Sequence, residues 1–134
     1  MWTKFLDRPE LIEGLYQYGP VLTDFRLSEI SWDHDEGICL LRGTLSQFAD
    51  YPRPHWEDDA NRVGIRLRLE SVREFEFDGT QFYEPLDLSV DSDDGGATVV
   101  VTARGQDLVF RAVCSGLSVD DVFAYHALDR DRPN

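Results

Sequence analysis

The 134-residue chain has little cysteine, histidine or positive charge, and each shortage excludes a class of protein. Two cysteines, Cys39 and Cys114, sit in apolar strand-like runs. They are too few for a disulfide framework and read as core residues. Neither has a cysteine or histidine neighbour at ligand spacing, and His34, His55 and His126 are too scattered for a zinc signature. No apolar run approaches the roughly 20 residues of a membrane span, and the opening MWTKFLDRPE lacks the apolar stretch of a signal peptide. The chain is therefore expected to remain cytoplasmic. No serine lies in GxSxG and no glycine-rich phosphate loop occurs. Acids outnumber bases 26 to 13, giving a formal charge of -13. That excess repels phosphate backbones and anionic bilayers, so neither nucleic acid nor membrane is an expected partner. It favours a cationic partner and fast, salt-sensitive association.

A hydrophobic content of 42% with 12% aromatics is normal for a packed core, and the length suits one domain over residues 1–134. Asp7 as N-cap, Glu10 three residues on, and Leu11, Ile12, Leu15 and Tyr16 at helical spacing predict a helix over about 8–17, ended by Gly19-Pro20. From 24 to 126 the apolar period becomes 2, with a bulge near Ser28 where Ile30 and Trp32 resume out of phase with Phe25 and Leu27. RVGIRLRLE is the cleanest strand: Val63, Ile65, Leu67 and Leu69 point one way, Arg62, Arg66, Arg68 and Glu70 the other. Phe75 and Phe77, then Leu86 to Val90, TVVVTA, Leu108 to Cys114, and Val119 to Tyr125 continue the pattern. Turn signals recur with no second helix between them, which indicates antiparallel hairpins. The expected fold class is mainly β (α+β): an antiparallel curved sheet, half-barrel or sandwich, with one N-terminal α-helix. The tail DRDRPN (129–134) is expected to fray.

The acidic turns DHDEG (33–37) and DSDDGG (91–96) have carboxylates at the first and third positions of a calcium loop, but glycine at the fifth and threonine at the twelfth. Acidic hairpin turns account for them better, and no metal or cofactor is expected. His55 with Asp58 and Asp59, or His126 with Asp120, Asp121 or Asp129, could form histidine–carboxylate pairs. Each lacks a third group, and no enzyme is expected. The row Arg62, Arg66 and Arg68 stands out in an acidic chain; cross-strand pairing with Glu74, Glu76 or Asp87 explains it, and such a row can also seat a partner's carboxylates. In FADYPRPHWEDDANRV (48–63), Pro52 and Pro54 stiffen the path and Trp56 is expected to drop onto the sheet. Asn61 suits the turn that launches the next strand, and Glu57, Asp58 and Asp59 are left facing solvent.

In order along the chain, these features resemble the immunity protein 50 family of bacterial polymorphic-toxin systems. The resembling residues are Trp2, the helix ending in Tyr18-Gly19-Pro20, Leu27-Ser28-Glu29-Ile30, Leu41-Arg42, PRPHW to Asn61, Val63-Gly64-Ile65-Arg66-Leu67, Leu108-Val109-Phe110, Cys114 and Tyr125. The resemblance spans nearly the whole chain. It implies neutralisation of a cognate toxin by direct binding, usually of a toxin encoded next door, and supplies no catalytic residues. The expected contacts, from charge, are acids on loops: Asp33, Asp35, Glu36, Glu57, Asp58, Asp59, Asp91, Asp93 and Asp94. A cationic toxin would suit them. The alternative is a small-ligand-binding β-barrel or other interaction module, with rings such as Phe75, Phe77 and Phe110 lining a cavity. Oligomeric state is left open, because unpaired edge strands could join two copies.

Overall fold

Among the described residues, eight strands follow the period-2 segments in order. They are β1 Arg26–Asp33, β2 Ile38–Thr44, β3 Arg62–Glu70, β4 Glu74–Gly79, β5 Asp87–Asp93, β6 Thr98–Arg104, β7 Leu108–Cys114 and β8 Gly116–Tyr125. The computed structural model describes residues 2–79, 85–93, 98–106 and 108–128. The sequence-predicted tail at 129–134, along with Asp94 and most of the DDGG turn, lies outside the described residues.

All pairings are antiparallel and make two four-stranded sheets, β1-β2-β3-β8 and β4-β7-β6-β5. The sheets are unclosed, which resolves the half-barrel or sandwich expectation in favour of two packed sheets. Two strands pass from one sheet to the other: β3 runs into β4 and β7 into β8. The bend is made at Ser71, a non-glycine residue in the left-handed region with a φ of 53°. Hydrogen bonding carries on across it, Arg73 N–H donating to the Val113 carbonyl (2.8 Å) and Ser115 N–H to that of Glu70 (3.1 Å). Strands that switch sheets at such a corner are the usual way to build crossed sheets. At the far side a bridge between Phe25 and Leu86 ties the approach to β1 to the approach to β5.

Alternation fills the space between the sheets. Leu27, Cys39, Leu41, Val63, Ile65, Leu67, Leu69 and Leu117 are fully buried from the first sheet, with Val101, Phe110, Ala112 and Cys114 from the second. Trp32 stacks on Phe75 at 4.8 Å, and Phe75 meets Phe110 edge-on at 5.5 Å. Of the rings that the ligand-barrel reading needs as cavity lining, Phe75 and Phe110 pack against each other and Phe77 is exposed. Burial pushes the Cys39 thiol up to about 12, with Cys114 adding to the effect, and the Cys114 thiol up to about 11. Both remain neutral core side chains. The bulge expected near Ser28 is present as a register shift between Leu27 and Glu29, and the Ser28 hydroxyl donates to the Arg42 carbonyl across it (3.0 Å).

The helix predicted over 8–17 is one turn, Glu10–Glu13, preceded by a 3-10 turn at Trp2–Phe5. Asp7 does not cap it; Pro9 holds the N-cap position without a side-chain bond. The reason is tertiary. Asp7 N–H donates to the Leu117 carbonyl of β8 (2.8 Å), so this segment is committed to covering the open edge of the sheet. Gly14 follows at the C-cap.

The proline-rich stretch staples that N-terminal segment down. Arg53 donates to the Leu11 carbonyl (3.0 Å), Tyr51 N–H to that of Leu15 (3.0 Å), and Tyr16 hydroxyl to that of Gln47 (2.8 Å). Asp50 accepts from Gln17 N–H (2.9 Å). Burial and the nearby Asp50 carboxylate raise the Tyr16 phenol well above its ordinary value. Trp56 is half-buried against the core beside Phe48, so the ring does drop onto the sheet, though less deeply than a core tryptophan.

Candidate functional site

Of the nine acids chosen from sequence, Asp94 lies outside the described residues and the other eight fall in three places. Asp33, Asp35 and Glu36 are exposed in the β1–β2 turn, where Asp33 accepts from Glu36 N–H (3.1 Å). Asp91 is exposed near the end of β5, where Asp93 pairs with Thr98 in the ladder. These two groups share the bent end of the molecule: Gly37 carbonyl accepts from Val72 N–H, and the Thr98 hydroxyl from Arg73, both donors lying in the bend. Glu57, Asp58 and Asp59 are exposed at the opposite end, before β3. The three groups therefore do not form one surface.

Among the described residues the histidine–carboxylate pairs are not assembled. His126 Nδ1 lies 3.0 Å from the backbone carbonyl of Asp59, and the His55 ring lies edge-on to Trp56 at 6.4 Å. Asp129 is outside the described residues. Among the described residues no three histidine, cysteine or carboxylate side chains converge as a metal site.

The outer face of the first sheet is more unusual than the acidic loops. Register puts Arg26, Arg42, Arg62, Arg66 and Arg68 on it. Arg66 pairs with Asp120 at 2.7 Å and Arg68 with Glu70 at 2.7 Å. Acid pairing thus holds for two of the three arginines in the row, but with different acids from Glu74, Glu76 and Asp87, which belong to the second sheet. The β8 bulge opposite Arg66 and Leu67 makes the first pair: it inserts Asp120 beside Asp121. The hydrogen bond and charge of Asp120, aided by Asp121 and Glu29, hold the Arg66 guanidinium above its ordinary pKa.

Arg42 is different. It stands directly across the ladder from Arg66, a like-charge pairing that costs stability. Its guanidinium lies over the Phe123 ring, 4.7 Å from the centroid. Phe123 stacks with Tyr125 at 6.0 Å, and the Tyr125 hydroxyl is 2.7 Å from Thr44 Oγ1. Gly64 makes room for this: a Cβ there would come within 2.2 Å of the Phe123 ring. Arg42, Phe123 and Tyr125 so form a flat platform, beside a shallow groove shared with Ser28, Glu29 and Thr44.

The platform adjoins one acidic loop. Asn61 N–H donates to the Tyr125 carbonyl (2.9 Å), while its side chain donates to the Ala127 carbonyl (3.0 Å) and accepts from Ala127 N–H (2.8 Å). With the His126–Asp59 contact, this fixes the 57–59 tip beside the aromatic pair. Sequence reading missed the platform because its rings come from a strand some sixty residues beyond the arginine row. The available signal was Gly64, a glycine inside a strong strand, which marks close approach of a neighbour.

The fold is an open two-sheet β-sandwich whose first sheet has a charged and aromatic outer face. The family model of immunity protein 50 matches residues 8–125, most of the chain, and the chain belongs to that family. No curated protein and no solved structure matches it. Membership points to toxin neutralisation in general, with a toxin as partner.

Proposed function

We propose that this protein neutralises a cognate toxin by binding it directly, one to one, in the cytoplasm and without chemistry of its own. Membership of the immunity protein 50 family across residues 8–125 carries this reading. The net charge of -13 supports a cationic toxin as the partner. The exposed acids at 33–36, 57–59 and 91 support electrostatic capture, in which acidic loops speed encounter more than they hold the complex.

The test is a calorimetric titration against the toxin domain encoded beside this chain, at low and high salt. Tight one-to-one binding that weakens with salt is the expected result. Tight binding indifferent to salt would keep the immunity role and remove the acidic loops from it. No binding at either salt would overturn the reading.

A further inference from the structure

We infer that the Arg42–Phe123–Tyr125 platform is the anchor of the toxin interface, seating a toxin carboxylate together with the apolar body of its neighbouring residues, and that the 57–59 loop is its acidic rim. The inference rests on the proposed function and adds which surface holds the toxin and by what chemistry.

Four observations lead to it. First, Arg42 faces Arg66 across the ladder, a like-charge pairing unfavourable for folding. Positions that break a local rule without a folding benefit are where function is to be sought. Second, Arg66 and Arg68 are spent in ion pairs, whereas Arg42 makes no ion pair among the described residues and Arg62 bonds only the neighbouring Asn61 carbonyl (3.1 Å). Glu29, opposite Arg42 in the next strand, is exposed and not within ion-pair distance of it.

Third, the guanidinium on Phe123 is held by the ring, so its outward N–H groups are pre-aimed and lose little freedom on binding. A planar fork with open donors takes a carboxylate in preference to any cation. Stacked Phe and Tyr beside Arg is also the composition of interface hot spots. Fourth, the face carries Glu29, Glu70, Asp120 and Asp121, and the 57–59 tip stands beside it. Acids interleaved with the arginines in this way, in a chain of charge -13, repel a phosphate polymer. The arrangement suits a protein partner whose own surface alternates in sign, basic groups against the rim and an acid against Arg42.

Roles divide accordingly: the rim steers and sets the on-rate, and the platform sets the off-rate. Among the three acidic patches, 57–59 is the one that faces the toxin.

The experiment measures association and dissociation rates of the full chain with the same toxin domain, by surface-immobilised kinetics at two salt concentrations. Arg42→Glu should raise the dissociation rate by roughly 30-fold or more, as for a hot-spot residue, with little effect on association. Gly64→Ala removes no charge but lifts the Phe123 ring, and should raise it by about tenfold. A Glu57→Lys, Asp58→Lys, Asp59→Lys triple variant should slow association several-fold at low salt, and the same reversal at Asp33, Asp35 and Glu36 should not. Arg104→Glu on the other sheet is the control. Melting curves confirm that each variant is folded.

If wild-type protein binds and both Arg42→Glu and Gly64→Ala leave dissociation unchanged, the anchor is elsewhere and the immunity reading stands. If those variants only dissociate a dimer of this chain and leave toxin rates alone, the face is a contact between copies and the proposal falls. Failure of the wild type to bind removes the immunity reading first.

Discussion

The two outer faces of this sandwich obey the same alternation but use charge differently. The second sheet presents Arg104 and Arg111 among Glu74, Glu76, Asp78, Asp87 and Asp91, with each arginine opposite an acid in its ladder: Asp87 faces Arg104 and Glu76 faces Arg111. That is a solvated surface arranged for its own stability. The first sheet presents five arginines with Glu29, Glu70, Asp120 and Asp121, sets two arginines directly opposite each other, and lays two aromatic rings on the surface. Its local arrangement is worse for folding, and the proposed toxin interface would account for it. Five of the chain's twelve arginines lie on this one face, although the chain as a whole carries a charge of -13.

That contrast depends on the outer face of the first sheet being separable from its core. Two buried glycines on adjacent strands test this. Gly43 points inward, where a Cβ would come within 2.5 Å of the Arg26 backbone carbonyl and 2.4 Å of the Phe25 ring. Neither can retreat: one is backbone, and the other is fully buried. Gly43→Ala should therefore cost about 3 kcal/mol by overpacking, seen as a lower urea midpoint with unchanged slope. Gly64 points outward, and its clash is with the far end of one half-exposed ring that can swing into solvent. Gly64→Ala should cost about 1 kcal/mol or less. Equal costs for the two would mean that the platform is part of the folding core, and the distinction between the faces would collapse.

The inner half of this architecture is legible in the sequence because burial imposes a strict period of 2. Val63, Ile65, Leu67 and Leu69 are read correctly from alternation alone, and the phase change after Leu27 correctly marks a bulge. The helix fails for a different reason. Its spacing and cap residues are real, but Asp7 is taken by the edge of β8 and the segment is held by the 47–53 loop, contacts remote in sequence. The outer platform is the least legible part. Residues facing solvent carry no periodic constraint beyond polarity, and Arg42, Gly64 and Phe123 meet only through strand order. Acidic loops are conspicuous in composition, yet composition does not say that 33–36 and 57–59 lie at opposite ends.

A second way to sharpen the comparison is to loosen the rim without touching the platform. Asn61 uses both ends of its amide on Ala127, in a partly buried site. Asn61→Ala would leave the Ala127 N–H and carbonyl short of partners, and should cost about 1–2 kcal/mol. Hydrogen exchange should quicken at residues 124–127 and not in β5 or β6. Slower association with the toxin and a nearly constant dissociation rate would then separate rim from anchor by a route that changes no charge. A rise in dissociation matching Arg42→Glu would merge them.

The smallest effects concern the ion pairs themselves. On the first sheet Arg66 Nε meets Asp120 at 2.7 Å, placed there by the bulge; on the second, Arg111 reaches Glu74 at only 3.8 Å. All four side chains are substantially exposed, so solvent and salt screen both. A double-mutant cycle on Arg66 and Asp120 should give a coupling of about 0.5 kcal/mol, and one on Arg111 and Glu74 a value of about zero, the range found for exposed pairs of good and poor geometry. The first coupling should shrink in high salt. Its presence explains why Arg66 turns aside from Arg42, leaving the Arg42 guanidinium on Phe123 instead of competing for the same carboxylate. Were the Arg66–Asp120 coupling absent, Asp120 would no longer be assigned to Arg66, and the contrast in charge use between the two faces would narrow.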